Sequence, residues 1–202
     1  MSAAGPPQGA NRAPRGGSER SERGGPSPAG AVTVSNHVDD GWWKWLLLSA
    51  AILVADQITK SIVVSSFSRG EELAVTSFMS LVLAYNTGAA FSFLAGAPGW
   101  QRWFFMAIAA AASVFLIWML RRGGSRVLCA GLALILGGAM GNLWDRIAIG
   151  KVVDFLLFHY GGWSWPAFNV ADSAITVGAA LLIVDSFMQK RGEPSLSAAK
   201  DS

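Results

Sequence analysis

Four aspartates, Asp56, Asp145, Asp154 and Asp172, stand in a stretch of sequence where ionised side chains are scarce. Lys60, Arg146 and the amides Asn86, Asn142 and Asn169 accompany them. The crowding peaks in GNLWDRIAIGKVVDF, Gly141 to Phe155, which closes a strongly apolar run with two aspartates, an arginine and a lysine. Carboxylates, amides and cations offer acid–base chemistry. Two carboxylates close together in a low-dielectric site cannot both ionise easily, so they share a proton. One then acts as general base on water while the other protonates the departing group. That is the minimum equipment of an aspartic peptidase, and it requires no cofactor. Zinc hydrolysis is poorly supported, because His37 and His159 fall in a tail and an outer loop and no HExxH pattern is present. A serine nucleophile needs a paired base; Ser92 and Ser173 have no evident histidine, which leaves Lys60 as the alternative.

The elements that must position these groups follow from composition. Hydrophobic residues make up 52% of the 202 and charged residues only 14%, against roughly 25% charged in soluble domains. Mean hydropathy is +0.39. This describes an integral membrane protein. The net charge of +3 is small, and the arginines do not interleave with aromatics, which argues against nucleic acid as a partner. Cys129 is the single cysteine, inside an apolar run, and reads as a small buried hydrophobe. Residues 1 to about 40 carry five of the eight prolines and seven glycines. They are expected to be a disordered cytoplasmic tail, as is 192–202. Without an apolar h-region ahead of it, the first hydrophobic helix is expected to be retained.

Between the tails, residues 41–191 form the expected membrane domain. Four apolar runs, Trp45–Val64, Trp103–Leu120, Val127–Trp144 and Val170–Met188, are each close to the roughly 20 residues that cross a hydrocarbon core. Small residues within them permit close helix approach. The expected fold is therefore an all-α membrane protein of four transmembrane helices. Basic residues mark one side: Lys44, the loop Arg121 to Arg126, and Lys190-Arg191. That side should be cytoplasmic, with both termini. Residues 65–99 show strand-like alternation around Glu71–Thr76 and Phe78–Tyr85, which predicts a small extracytoplasmic β-rich segment between helices 1 and 2. Residues 148–168 read as a second outer loop.

With this topology Asp56, Lys60, Asn142, Asp145, Arg146, Asn169 and Asp172 all fall toward the outer leaflet, and Asn86 and Asp154 lie in the outer loops. Each has a modest local explanation. Asn169 can cap helix 4, Asp172 suits its first turn, and Asp56 and Lys60 form an i,i+4 pair. Gly88 and Gly150 suit turns. Asp185 stands apart and reads as a solvated helix-end charge beside Lys190, and Lys151 as a solvated loop charge. Convergence from separated stretches outweighs the local readings, since intramembrane ionisable groups are rare and usually functional. A small transporter or proton relay is the alternative, but it predicts polar groups through the whole depth of the bilayer, and the inner helix halves are nearly all apolar.

Five blocks carry a family likeness: Asp56-Gln57-Ile58-Thr59-Lys60, Asn86-Thr87-Gly88-Ala89-Ala90-Phe91-Ser92, Gly138 to Arg146, Val152-Val153-Asp154-Phe155, and Phe168-Asn169-Val170-Ala171-Asp172. In this order and spacing, from about Trp42 to Lys190, the chain resembles the lipoprotein signal peptidases (signal peptidase II). The resemblance implies an aspartic endopeptidase of the bacterial inner membrane, working near the outer leaflet. It would cleave prolipoproteins just before the diacylglyceryl-modified cysteine. By the same resemblance Asp154 and Asp172 are the catalytic pair, and Asp56, Lys60, Asn86, Gly88, Asn142, Asp145, Arg146, Asn169 and Ala171 bind substrate or support the site. No metal or other cofactor is implied. The expected partners are lipid-modified prolipoproteins, membrane lipids and a globomycin-type inhibitor, with the enzyme a monomer. Asn86 and Arg146 are suited to donate to substrate carbonyls, and Asp145 to orient Arg146 or a helix end. The long tail is a departure from the family core.

Overall fold

The computed structural model describes residues 41–88 and 100–192. The expectations for residues 1–40, for Ala89 to Ser92 and for 193–202 lie outside the described residues. Eight elements follow in chain order: α1 (Trp42–Ser66), β1 (Glu72–Thr76), β2 (Met79–Asn86), α2 (Trp100–Arg122), α3 (Arg126–Ile149), β3 (Val152–Tyr160), β4 (Trp163–Ser164) and α4 (Val170–Gly192). All four helices are long and apolar enough to cross a membrane. The protein is a multi-pass membrane protein.

The helices are apolar nearly all round, as lipid-facing helices are. Leu47, Val54, Ile58 and Ile62 of α1 and Trp103, Val114 and Phe115 of α2 lie exposed on the outside of the bundle. Central α3 packs against α1, α2 and α4. Small residues make this possible. A Cβ built on Gly178 would stand 2.6 Å from the carbonyl oxygen of Gly131, and one on Gly141 would stand 2.6 Å from Asp56 Oδ2. Dispersion and interhelical hydrogen bonds replace the hydrophobic effect that would drive such packing in water.

Strands β1 and β2 form the predicted hairpin. The second outer segment is not a loop. Its residues form β3 and β4, and the sheet is antiparallel in the order β1-β2-β3-β4. Alternation could not reveal β3, because Val152 to Phe155 are all buried and the run reads as continuously apolar apart from Asp154. Val63, Leu83, Val153 and Phe155, with Phe67, Tyr85 and Val170 around them, pack the sheet onto the ends of α1 and α4.

Between Leu81 and Ala84 the β2–β3 register shifts, from Leu81 opposite Leu156 to Ala84 opposite Asp154. The extra residue on β2 is a bulge. A one-residue slip exchanges the faces of a strand. The shift therefore puts Asn86, opposite Val152, on the same face as Asp154.

At the far end of the bundle Asp185 departs from expectation. It is buried and accepts hydrogen bonds from Ser125 Oγ and Gln189 Nε2. Ser125 also caps α3, its Oγ accepting from the Leu128 N–H at 3.0 Å. Asp185 therefore belongs to the start of α3, where the helix dipole favours an anion.

Candidate active site

Asn169 starts α4 with a reciprocal cap. Its Oδ1 accepts from the Asp172 N–H at 2.9 Å, and Asp172 Oδ2 accepts from the Asn169 N–H at 3.3 Å. This is a capping box with aspartate in the usual glutamate position, and it fixes Asp172 in the first turn. The other end of the fully buried amide points across to β3, where Asn169 Nδ2 donates to Asp154 Oδ1 at 2.7 Å. One side chain therefore touches both aspartates.

Asn142 does a parallel job from α3. Its Nδ2 donates to Asp172 Oδ1 at 2.8 Å, while its Oδ1 accepts from Lys60 Nζ at 3.1 Å and Asn169 Nδ2 at 3.2 Å. Asn86 reaches Asp154 from β2 by a side-chain hydrogen bond. Its Oδ1 accepts from the Gly88 N–H at 2.8 Å, which orients the amide with its N–H groups free for the carboxylate. Gly88 turns there with φ +97°, and its missing side chain admits the ring of Phe105. Asp154 is only 2% exposed. Burial, and then the charge of Asp172, raise its pKa to about 7, against the hydrogen bonds of Asn86 and Asn169 and the charge of Lys60.

Beneath the pair lies a buried ionic cluster. Lys60 Nζ stands 2.7 Å from Asp56 Oδ2 and 2.9 Å from Asp145 Oδ2. Asp56 Oδ1 accepts from the Ala171 N–H at 2.9 Å, and Asp145 Oδ2 from the Val153 N–H at 3.1 Å. Ala171 is fully buried; its methyl group faces Gly141, where a larger side chain has no space. Asp145 was expected to orient Arg146 or a helix end. It engages Lys60, Gln57 and the β3 backbone instead, because successive residues on a helix face different directions. Arg146 donates from Nη1 to the Asn142 carbonyl at 3.2 Å and lies over the Phe105 ring, 5.3 Å from its centre. Lys151 is no free loop charge: its Nζ sits 3.6 Å from the centre of the Tyr85 ring.

All eleven residues singled out from the sequence are thus drawn to one end of the bundle, against the sheet. Gln57 was missed. Its Nε2 donates to Asp145 Oδ1 at 2.9 Å and approaches Asp56 Oδ2 at 3.2 Å and the Gly141 carbonyl at 3.3 Å. An amide next to Asp56 on a lipid-facing helix was itself a signal, since a polar group there needs a partner. Arg102 was also missed; its Nη2 donates to the Ile147 carbonyl at 3.0 Å and satisfies an orphan acceptor at the end of α3. Beside Asp172 a cavity of about 480 Å³ opens, walled by Phe158, Trp163, Trp165 and Phe168 and floored by Ser173 and Thr176. The arrangement sets the carboxyl groups of Asp154 and Asp172 near enough for the charge of one to act on the other, beside a cavity that can take an apolar group.

The sequence profile of the family described as signal peptidase (SPase) II matches residues 48–188. The chain belongs to the signal peptidase II family. That match takes in every site residue from Asp56 to Asp172. Among proteins called lipoprotein signal peptidase, the chain is 51% identical to that of Ralstonia nicotianae over 164 residues, 81% of this chain and 93% of that one. It is 52% identical to that of Paraburkholderia phymatum, over 79% of this chain and 97% of the relative. With that of a Janthinobacterium species the identity is 55%, over 70% of this chain and 86% of the other. Two solved structures, each of a bacterial membrane enzyme, superpose with TM-scores of 0.67 and 0.63 at 27% identity. They cover 76% and 79% of this chain and 93% and 95% of their own. The likeness in fold thus takes in nearly the whole of both solved chains.

Proposed function

We propose that Asp154 and Asp172 are the catalytic pair with which this signal peptidase removes signal peptides from prolipoproteins, cutting before the lipid-modified cysteine. The observation that carries the reading is the buried Asn169 amide bonded to both aspartates, Asp154 through Nδ2 and Asp172 through the cap. Asp154 holds its proton to about pH 7 and enters as the acid. Asp172 enters ionised and takes a proton from water as that water attacks the scissile carbonyl carbon. The C–N bond then breaks as Asp154 gives its proton to the amine nitrogen, leaving the signal peptide with a new carboxyl group. Arg146 and the amide of Asn86 donate to substrate carbonyls. The aromatic cavity beside Asp172 gives an apolar part of the substrate a place next to the reacting bond.

The same reading puts the site at the outer leaflet of the bacterial inner membrane, with the α2–α3 loop and both termini in the cytoplasm. The basic residues near that loop and the exposed tryptophans Trp100, Trp103, Trp163 and Trp165 at the site end support it. The enzyme works as a monomer, and globomycin occupies the cleft that substrate uses. The test is cleavage of a lipid-modified prolipoprotein by purified Asp154→Asn and Asp172→Asn variants. Each is expected to lose activity by about 10⁴-fold or more, as removal of a catalytic acid or base does. Full activity in either variant removes that residue from the pair.

A further inference from the structure

Lys60 takes no part in the proton transfers above, yet it is buried and bound on three sides, to Asp56, Asp145 and Asn142. Burying one cation with two carboxylates is costly unless every group is well paired. The i,i+4 partnership with Asp56 would serve α1 alone. Asp145 comes from α3, and both carboxylates continue outward to backbone. The peptide groups they hold are those of Ala171 and Val153. These residues immediately precede Asp172 and Asp154.

We propose that the Asp56–Lys60–Asp145 cluster is a clamp that sets the spacing of the catalytic aspartates, each carboxylate gripping the peptide N–H one residue ahead of one of them. The proposal rests on Asp154 and Asp172 being the pair. The geometry is two-armed. Asp56 Oδ1 holds the first turn of α4 through Ala171 at 2.9 Å, and Asp145 Oδ2 holds the start of β3 through Val153 at 3.1 Å. Lys60 draws the two arms together at 2.7 and 2.9 Å. Gln57 spans the same two carboxylates from the lipid side, bonding Asp145 and lying within reach of Asp56. Its side chain also lines an apolar groove with Leu53, Ile58 and Trp144, so it stands between the ionic cluster and hydrocarbon. Lys60, Asp56, Asp145 and Gln57 are positioning residues: their effect reaches the reaction only through where Asp154 and Asp172 sit.

A positional clamp and a charge requirement predict different mutant orders. Asp145→Asn is isosteric; its Oδ1 can accept from both Lys60 and the Val153 N–H, and Gln57 can turn its own oxygen to the new amide. Asp145→Ala releases the β3 arm. Asp145→Glu keeps the charge but moves the carboxylate outward by a methylene. The measurement is kcat and KM for cleavage of a lipid-modified prolipoprotein by the full chain in detergent, with Tm as the check on folding. Asp145→Ala and Asp145→Glu are expected to lose about 10²-fold in kcat, the scale of an ångström misplacement, with KM changed less than about twofold. Asp145→Asn should stay within about fivefold of wild type, since the interactions it keeps are those that position the strand. If Asp145→Ala fails to fold, Asp145→Glu stands in for it. Wild-type kcat in Asp145→Ala or Asp145→Glu overturns the clamp. So does a loss in Asp145→Asn equal to theirs, which would mean that charge is what matters. Asp154→Asn and Asp172→Asn run alongside. Activity in either of those refutes the catalytic pair itself, whereas inactive controls with a fully active Asp145→Ala refute the clamp alone.

Discussion

At the residue scale, Asp154 gives the reading a pH signature. Burial first, and the charge of Asp172 second, raise its pKa to about 7. An acid that must enter protonated then loses its proton near neutrality, so kcat/KM, which reports the free enzyme, should fall on the alkaline side with a midpoint near that value. A profile flat through neutrality would contradict this role. The same shift affects stability. The folded chain binds the Asp154 proton more tightly than the unfolded chain does, so the contribution is complete below the ordinary carboxylate range and lost as pH rises through about 7. Asp154→Asn, neutral throughout, should show a smaller fall in Tm than wild type from about pH 5 to about pH 8. Asp172→Asn removes one of the two causes, so the carboxyl infrared band of Asp154 should then titrate at lower pH. The residue types at this site were legible in the sequence because ionised groups among apolar residues stand out. Their pairing was not. Lys60 could be matched to Asp56 by helical spacing, but nothing in one dimension matches it to Asp145, 85 positions later.

At the scale of elements, small residues and a bulge set how near the pieces stand. A Cβ on Gly138 would run into the carbonyl oxygen of Ala171, on the turn that carries Asp172. Gly138→Ala should therefore push α3 and α4 apart at a cost of about 1–3 kcal/mol, as overpacking does. A lowered Tm together with a lowered kcat is expected; unchanged values for both would show that the helices can part there without consequence. The four helices were readable from run length alone, because the bilayer fixes that length. The β1–β2 hairpin was readable because it alternates. Strand β3 was not, since its first half is buried on both faces. The bulge between Leu81 and Ala84 has no glycine or proline to announce it, yet it decides that Asn86 faces Asp154.

At the scale of the whole molecule, the fold brings the ends of α1 and α3, the start of α4 and the paired strands β2 and β3 together around two carboxylates. The opposite end carries the basic α2–α3 loop. The topology is testable with a membrane-impermeant maleimide on intact cells, with Cys129, the one native cysteine, replaced by alanine. Glu72→Cys, exposed on the sheet, should label at once, and Arg126→Cys, exposed at the start of α3, only after permeabilisation. The reverse pattern would invert the orientation. The central claim is that Asp154 and Asp172 act on one water. The most direct measurement is the separation of their nearest carboxyl oxygens in a crystal structure with an uncleavable lipopeptide bound. Direct contact, or one bridging water at about 5.5 Å, twice an ordinary O–H···O distance, is the predicted result. A larger separation, with no water touching both, would contradict a shared-proton mechanism.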